Sequence, residues 1–177
     1  MAATYLPASQ HRAQPWKNSL GLSRTIADFP AGAGFDAVLW QVGLTEIGVD
    51  CPFSDLPELD RQFIVTAGAG VELSSIDDSG KTRIFLVRPM QPPCAFRGDW
   101  KTTCRLLSGP VKVFNVMTRR GRFAAEVSFA GGEALAGEVG GTLVAVELTS
   151  LDAWRLEGAG AMPLPAGNSI VVRIREA

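Results

Sequence analysis

Histidine is nearly absent from this chain, and that deficit removes more classes of function than any motif adds. Its 177 residues include one histidine, His11, and three cysteines, Cys51, Cys94 and Cys104, with no CxxC spacing. Zinc, iron and copper sites draw chiefly on imidazole and thiolate, so His11 with carboxylates alone makes a poor metal centre. Histidine-based acid–base chemistry fares equally badly. An odd, unpatterned cysteine count fits a reducing cytoplasm better than a disulfide framework. Cys104 shares parity with Trp100, Thr102 and Leu106 and reads as a small buried apolar side chain. No GxSxG elbow, P-loop or dinucleotide fingerprint is present. No metal and no cofactor are expected.

No apolar run approaches the roughly 20 residues that span a bilayer. The opening MAATYLPASQHR lacks the basic and apolar regions of a signal peptide, so a cytoplasmic location is expected. Charge is equally undirected: 17 Lys and Arg against 18 Asp and Glu leave a net −1, which gives no footprint for nucleic acid or an anionic membrane. What is there is apolar: 46% hydrophobic and 20% charged residues describe a globular chain with a real core.

That core is patterned for β-structure. The first 15 residues read as a loose extended arm, and PWKNSLGLSRTIADFP as an irregular edge strand or a loop across a sheet, anchored by Trp16. Val38, Trp40, Val42 and Leu44 then alternate as a largely buried strand. Phe63, Val65 and Ala67 precede Gly68-Ala69-Gly70 and the return of Val71 and Leu73, which predicts a hairpin. Asp77–Gly80 is a turn before the strand Thr82–Val87, and Trp100–Leu106 alternates cleanly. Phe123–Phe129 alternates too, followed by a Gly-rich connector, a strand from Thr142 to Leu148, a short one at Trp154–Leu156, and an edge strand carrying Ile170, Val172 and Ile174 with Arg173 and Arg175 outward. Turns every 8–12 residues and no long amphipathic helix predict an all-β sandwich or barrel. The segments Asp60–Thr118 and Thr142–Arg175 share one order of strands and turns, which predicts two jelly-roll halves packed together: residues 1–122 with the arm, and 123–177 as a smaller second half.

The chain is organised around Gly109–Gly121, GPVKVFNVMTRRG. Alternation over Val111–Met117 puts Asn115 in file with Val111, Val113 and Met117, an amide among apolar neighbours that must find partners or cost about 1–3 kcal/mol. Arg119 and Arg120 follow at the strand's exit. Such an amide inside a barrel, with guanidinium groups near the mouth, would receive a small polar or anionic ligand. A structural Asn with two solvated arginines is the alternative reading of the same residues.

Four blocks in order resemble the HutD/Ves family of cupins: PWKNSLGLSRTIA (Pro15–Ala27), PFSDLPELDR (Pro52–Arg61), FRG (Phe96–Gly98) and GPVKVFNVMTRRG. The resemblance covers about the first two thirds of the chain; the last third matches by strand pattern only. It implies a bicupin fold without a metal requirement and a polar pocket in the first barrel. Trp16, Lys17, Asn18 and Arg24 fall on the first motif, Asp60 and Arg61 on the second, and Asn115, Arg119 and Arg120 on the fourth. Two departures stand out: Ser19 and Leu20 where the family usually has glycines, and Val113 where it usually has an acidic residue.

The expectation is a regulator or sensor of histidine utilisation that binds a small anionic metabolite such as urocanate or formylglutamate. Trp16, Lys17, Asn18, Arg24, Arg61, Asn115 and Arg119 are its expected ligand-binding residues. Asp60 would hold Arg61 in place, and Arg120 would lend structural support. A cofactor-free isomerase or lyase on a small acid or sugar, with Lys17 or Asp60 as base, is the alternative. A third reading is an interaction module whose second barrel is an interface; a homodimer is compatible with each.

Overall fold

The computed structural model describes residues 2–16 and 21–177. Among the described residues the strands, in chain order, are β1 (Thr4–Leu6), β2 (Arg12–Pro15), β3 (Leu22–Phe29), β4 (Trp40–Ile47), β5 (Cys51–Pro52), β6 (Leu59–Ala67), β7 (Val71–Ile76), β8 (Thr82–Val87) and β9 (Cys94–Arg97). They continue as β10 (Lys101–Leu106), β11 (Val111–Arg119), β12 (Phe123–Ala130), β13 (Ala134–Gly137), β14 (Thr142–Glu147), β15 (Ala153–Glu157), β16 (Gly160–Pro163) and β17 (Ser169–Glu176). The only helical element among them is a single 3-10 turn at Ala8–Gln10, and none is long and apolar enough to cross a membrane.

A six-stranded sheet, β2-β3-β4-β11-β6-β9, forms the middle layer. Its inner face meets the four-stranded sheet β5-β10-β7-β8 across a core of Phe63, Val65, Leu73, Phe96, Cys104, Val111 and Val113. Its other face packs on the five-stranded sheet β1-β15-β14-β17-β12 through Trp40, Val42, Leu44, Ile64, Phe114 and Val116 against Val144, Val146, Ile170 and Val172. A ribbon, β13-β16, covers the far side of that sheet, its Met162 packing over Leu143, Ala145 and Leu156. The middle sheet is thus buried on both faces, which is why β4 and β11 read as apolar at every parity while strands of one-sided sheets alternate. Phe114 and Val116 serve the interface between the two units, and Val113, Asn115 and Met117 look into the first.

Four expectations change. Gly68–Gly70 is a corner, not a hairpin, because β6 joins the six-stranded sheet and β7 the four-stranded one. A Cβ on Gly70 (φ +109°) would stand 2.5 Å from the Val87 carbonyl oxygen, so the tight passage admits only glycine. Next, β17 is no edge strand: it lies between β14 and β12. Its outward arginines reflect a face the ribbon covers only in part, with Arg173 donating to the Ala136 carbonyl at the ribbon's rim (2.9 Å). The Gly-rich connector contains β13. The arm is not loose either, since β1 pairs with β15 of the second unit and β2 with β3 of the first, and His11 between them is buried. A cut between residues 122 and 123 therefore leaves β1 in the sheet of the second unit. The Ala8 N–H donates to Asp152 Oδ1 (2.9 Å) and fastens this crossing.

Candidate functional site

A cavity of about 70 Å³ opens inside the first unit. Strand register explains what lines it. On the inner face of the six-stranded sheet, Asn115 sits opposite Gly43 on one side and Phe63 on the other, and Met117 sits between Gln41 and Arg61. Gly43 has no side chain to project beside Asn115, and that missing volume is part of the hollow. Ser23, Thr25 and Thr45 continue the same face toward β2.

Arg61 is the main electrostatic feature. Its guanidinium carbon lies 4.8 Å from the Phe53 ring centroid and 5.1 Å from that of Phe96; the two centroids are 6.2 Å apart, so the cation packs against both rings from one side. The residue is only 8% exposed, and its Nε has no hydrogen-bond partner. Burial pushes its pKa down to about 10, so it remains charged at neutral pH. Asn115 Oδ1 is likewise buried without a partner. Asn115 and Arg61 are diagonal neighbours on one face, roughly 7–8 Å apart along the sheet. Orphaned buried groups of this kind are uncommon, and each invites an explanation beyond packing.

Trp16 covers the β2 end. Its indole donates to Ser23 Oγ (2.8 Å), which shares a second hydrogen bond with Thr45 Oγ1 (2.7 Å). The ring lies against Gly21, where a Cβ would meet Trp16 Cε2 at 2.9 Å, and the Trp16 N–H donates to the Gly21 carbonyl (3.0 Å). Phe53, on the loop after β5, is held by its N–H to the Thr102 carbonyl (2.8 Å). Gly98 of the short FRG block lets that loop come close: a Cβ there would stand 2.5 Å from the Leu56 carbonyl oxygen.

The structure brings Trp16, Arg61 and Asn115 to one cavity, with Arg24 on its wall. Lys17 and Asn18 lie outside the described residues. Arg24, however, has the parity of Leu44, which faces the interface between the units, and its exposed side chain stands on that side, where its charge opposes protonation of His11. Arg119 does not line the cavity: its guanidinium donates to the carbonyls of Phe35 (2.8 Å) and Val38 (2.9 Å) and to Glu58 (3.2 Å), because the strand's last turn carries it over the 35–38 loop. Asp60 does not hold Arg61. Consecutive strand residues face opposite ways, and Asp60 accepts from Arg120 Nε (2.8 Å), while Arg120 Nη2 donates to Asp99 (2.9 Å) and holds that carboxyl below the usual range. The same orientation keeps Asp60 from acting as a base on anything in the cavity. Gln41, Gly43, Thr25 and the Phe53–Phe96 pair were not singled out by sequence reasoning; the pairing of β4 and β9 with their neighbours was the missing signal.

The described lining of the cavity contains Arg24 and Arg61 but no Asp, Glu, His or Cys. It therefore offers no ligand set for a metal, and among the described residues no cluster of three such side chains occurs elsewhere.

Two stacked β units, the first enclosing a hollow of this composition, define a bicupin-type protein. A fold of this kind is shared with an oxalate decarboxylase (TM-score 0.61, 6% identity, covering 99% of this chain and 77% of that one), a likeness of fold alone. The chain belongs to the HutD family, whose model matches residues 8–176. It is similar to HutD from Pseudomonas fluorescens SBW25, with 26% identity, a TM-score of 0.78, and 99% of this chain and 100% of that one covered. Among curated relatives, an uncharacterized 21.2 kDa protein in the hutC 3' region of Pseudomonas putida is 28% identical over 70% of this chain. Protein Ves of Cronobacter sakazakii is 30% identical over 74% of it. The matches span 62% and 68% of the lengths of these two relatives.

Proposed function

We propose that this chain is a metal-independent receptor for a small anionic metabolite and works as a sensor or regulator in histidine utilisation. The observation that carries the reading is the Arg61 guanidinium, buried against two rings and, among the described residues, in no ion pair with a carboxylate. A buried charge without a counter-ion is unfavourable unless something supplies one, and the cavity in front of it is where a ligand carboxylate would do so, through charge-assisted hydrogen bonds. The unpartnered Asn115 Oδ1 calls for a donor on the same ligand. A small acid bearing an N–H answers both requirements, which fits the imidazole acid urocanate and the amide acid formylglutamate. The P. putida relative named for the hutC 3' region and the similarity to HutD of P. fluorescens support the link to histidine utilisation.

Isothermal titration of urocanate and formylglutamate tests this, with acetate as the acid that lacks a donor. Wild type binds at least one of the two, and Asn115→Leu weakens it about 10-fold or more while leaving weak acetate binding unchanged. Absence of wild-type binding to both, or equal binding by Asn115→Leu, refutes the proposal.

A further inference from the structure

The outer edge of the four-stranded sheet is built to pair with another strand. Among the described residues, other edge strands are short, bounded by proline or charged: β5 has two residues and includes Pro52, β1 has three, β2 ends on Pro15, β9 is preceded by Pro92 and Pro93, and β12 carries Glu126 at its middle. Such features discourage edge-to-edge pairing. β8, Thr-Arg-Ile-Phe-Leu-Val, has none of them. Its one charge, Arg83, is tied to Asp77 of its own hairpin (2.7 Å).

Register identifies which backbone groups are free. The Asp77 N–H bonds the Lys81 carbonyl, so in the β7–β8 ladder the pairs Ser75–Arg83, Leu73–Phe85 and Val71–Val87 exchange hydrogen bonds by alternation. The N–H and C=O groups of Thr82, Ile84 and Leu86 therefore point away from β7 at the sheet's edge. The side chains of these residues share the outer face, where Ile84 is 67% and Leu86 51% exposed, with Ile76 beside them at 45%. Among the described residues, one strand thus presents unpaired backbone groups and an apolar row together.

We propose that β8 is a self-association edge, and that a second copy of this chain adds its own β8 antiparallel about a two-fold axis at Phe85. In that register Ile84 pairs with Leu86 of the second copy and Leu86 with its Ile84, both at hydrogen-bonded positions, which satisfies the free groups in an isologous contact. The two four-stranded sheets become one eight-stranded sheet. Centring on Ile84 instead would set Leu86 against Thr82 and bury less apolar surface. The occupant is a second copy because this edge is complementary to itself: each free N–H meets a C=O of the mate, Ile84 meets Leu86 in an apolar outer row, and the exposed cations Lys81 and Arg88 lie beyond those pairs, with Arg88 opposite the uncharged Thr82. The contact lies on the outside of the first unit and does not depend on what the cavity binds.

Sedimentation equilibrium should give about twice the chain mass of 18.8 kDa for wild type. Ile84→Lys, at an exposed position, should give the single-chain mass with an unchanged circular dichroism spectrum. Register is tested by mixing Ile84→Cys with Leu86→Cys under mild oxidation, wild type serving as the control for the native cysteines. The mixture should form a crosslinked heterodimer, because hydrogen-bonded pairs lie about 5.5 Å apart, within disulfide reach. Neither variant alone should crosslink. A monomeric wild type, a dimer that persists in Ile84→Lys, or crosslinking of Ile84→Cys by itself overturns the proposal.

Discussion

Replacing Arg61 by methionine should strengthen the free protein and disable it at once. The guanidinium packs against Phe53 and Phe96 with no counter-ion among the described residues, and burial moves its pKa down from the ordinary arginine value to about 10. A displacement of that size corresponds to about 3 kcal/mol of unfavourable desolvation in the native state. The two ring faces return part of it, about 0.5–1 kcal/mol for each contact. Methionine keeps the length and the ring contacts of Arg61 and removes the charge, so the apo protein should gain about 1–2 kcal/mol, or about 3–6 °C in Tm for a chain of this size. Binding moves oppositely. Losing charge-assisted hydrogen bonds worth about 1.5–3 kcal/mol raises Kd for a carboxylate ligand roughly 10- to 150-fold. The assay is thermal denaturation with and without urocanate or formylglutamate, paired with titration calorimetry. Wild type should show a ligand-dependent rise in Tm that Arg61→Met lacks. A lower apo Tm in Arg61→Met together with undiminished binding would refute the reasoning, since the charge would then be a structural asset and not a waiting receptor.

Two further outcomes follow from groups outside the cavity. His11 is buried with Nε2 unpartnered, and desolvation lowers its pKa below the ordinary 6.5. The unfolded chain then binds the proton more readily, so stability should be level above about pH 7 and decline as pH falls below the unfolded-state pKa of about 6.5. Denaturant midpoints at pH 7.5 and 5.5 check this, and His11→Gln should flatten the difference; Asp99, Glu147 and Asp152, whose pKa values are held down by hydrogen bonds, act only at lower pH. Gly70→Ala places a Cβ against the Val87 carbonyl at a positive φ and should cost well over about 1 kcal/mol, visible as a lower urea midpoint, whereas Gly109→Ala, with open space around its Cβ, should cost less.

Strand positions were legible because parity is a local property: Val111 to Met117 alternates whatever it packs on, and Asn115 falls on the inner file by counting alone. The corner at Gly68–Gly70 was misread for the same reason. A glycine-centred reversal between two apolar runs looks alike whether the strands pair with each other or leave for different sheets, and the deciding contact, with Val87 and Pro110, comes from distant sequence. Arg24 and Arg119 drew attention as cations within a motif, but direction and partners separate cations. Arg24 follows Leu44 toward the interface between the units, and Arg119 is occupied by backbone carbonyls.

By itself, then, the chain's order of residues determined an all-β protein in two related units, poor in metal ligands, with an amide placed on an inner strand face. These follow from composition and a two-residue period, which need no partner to be read. Tertiary structure alone decided that Arg61 rather than Arg119 meets the cavity, that Arg24 lies on its wall with its side chain on the other face, that Phe53 and Phe96 pack against Arg61, that Gly43 leaves the hollow, and that β8 stands at an open edge. Each of these depends on which strand lies beside which, and the hydrogen-bonded register between residues tens of positions apart is a property of the folded chain.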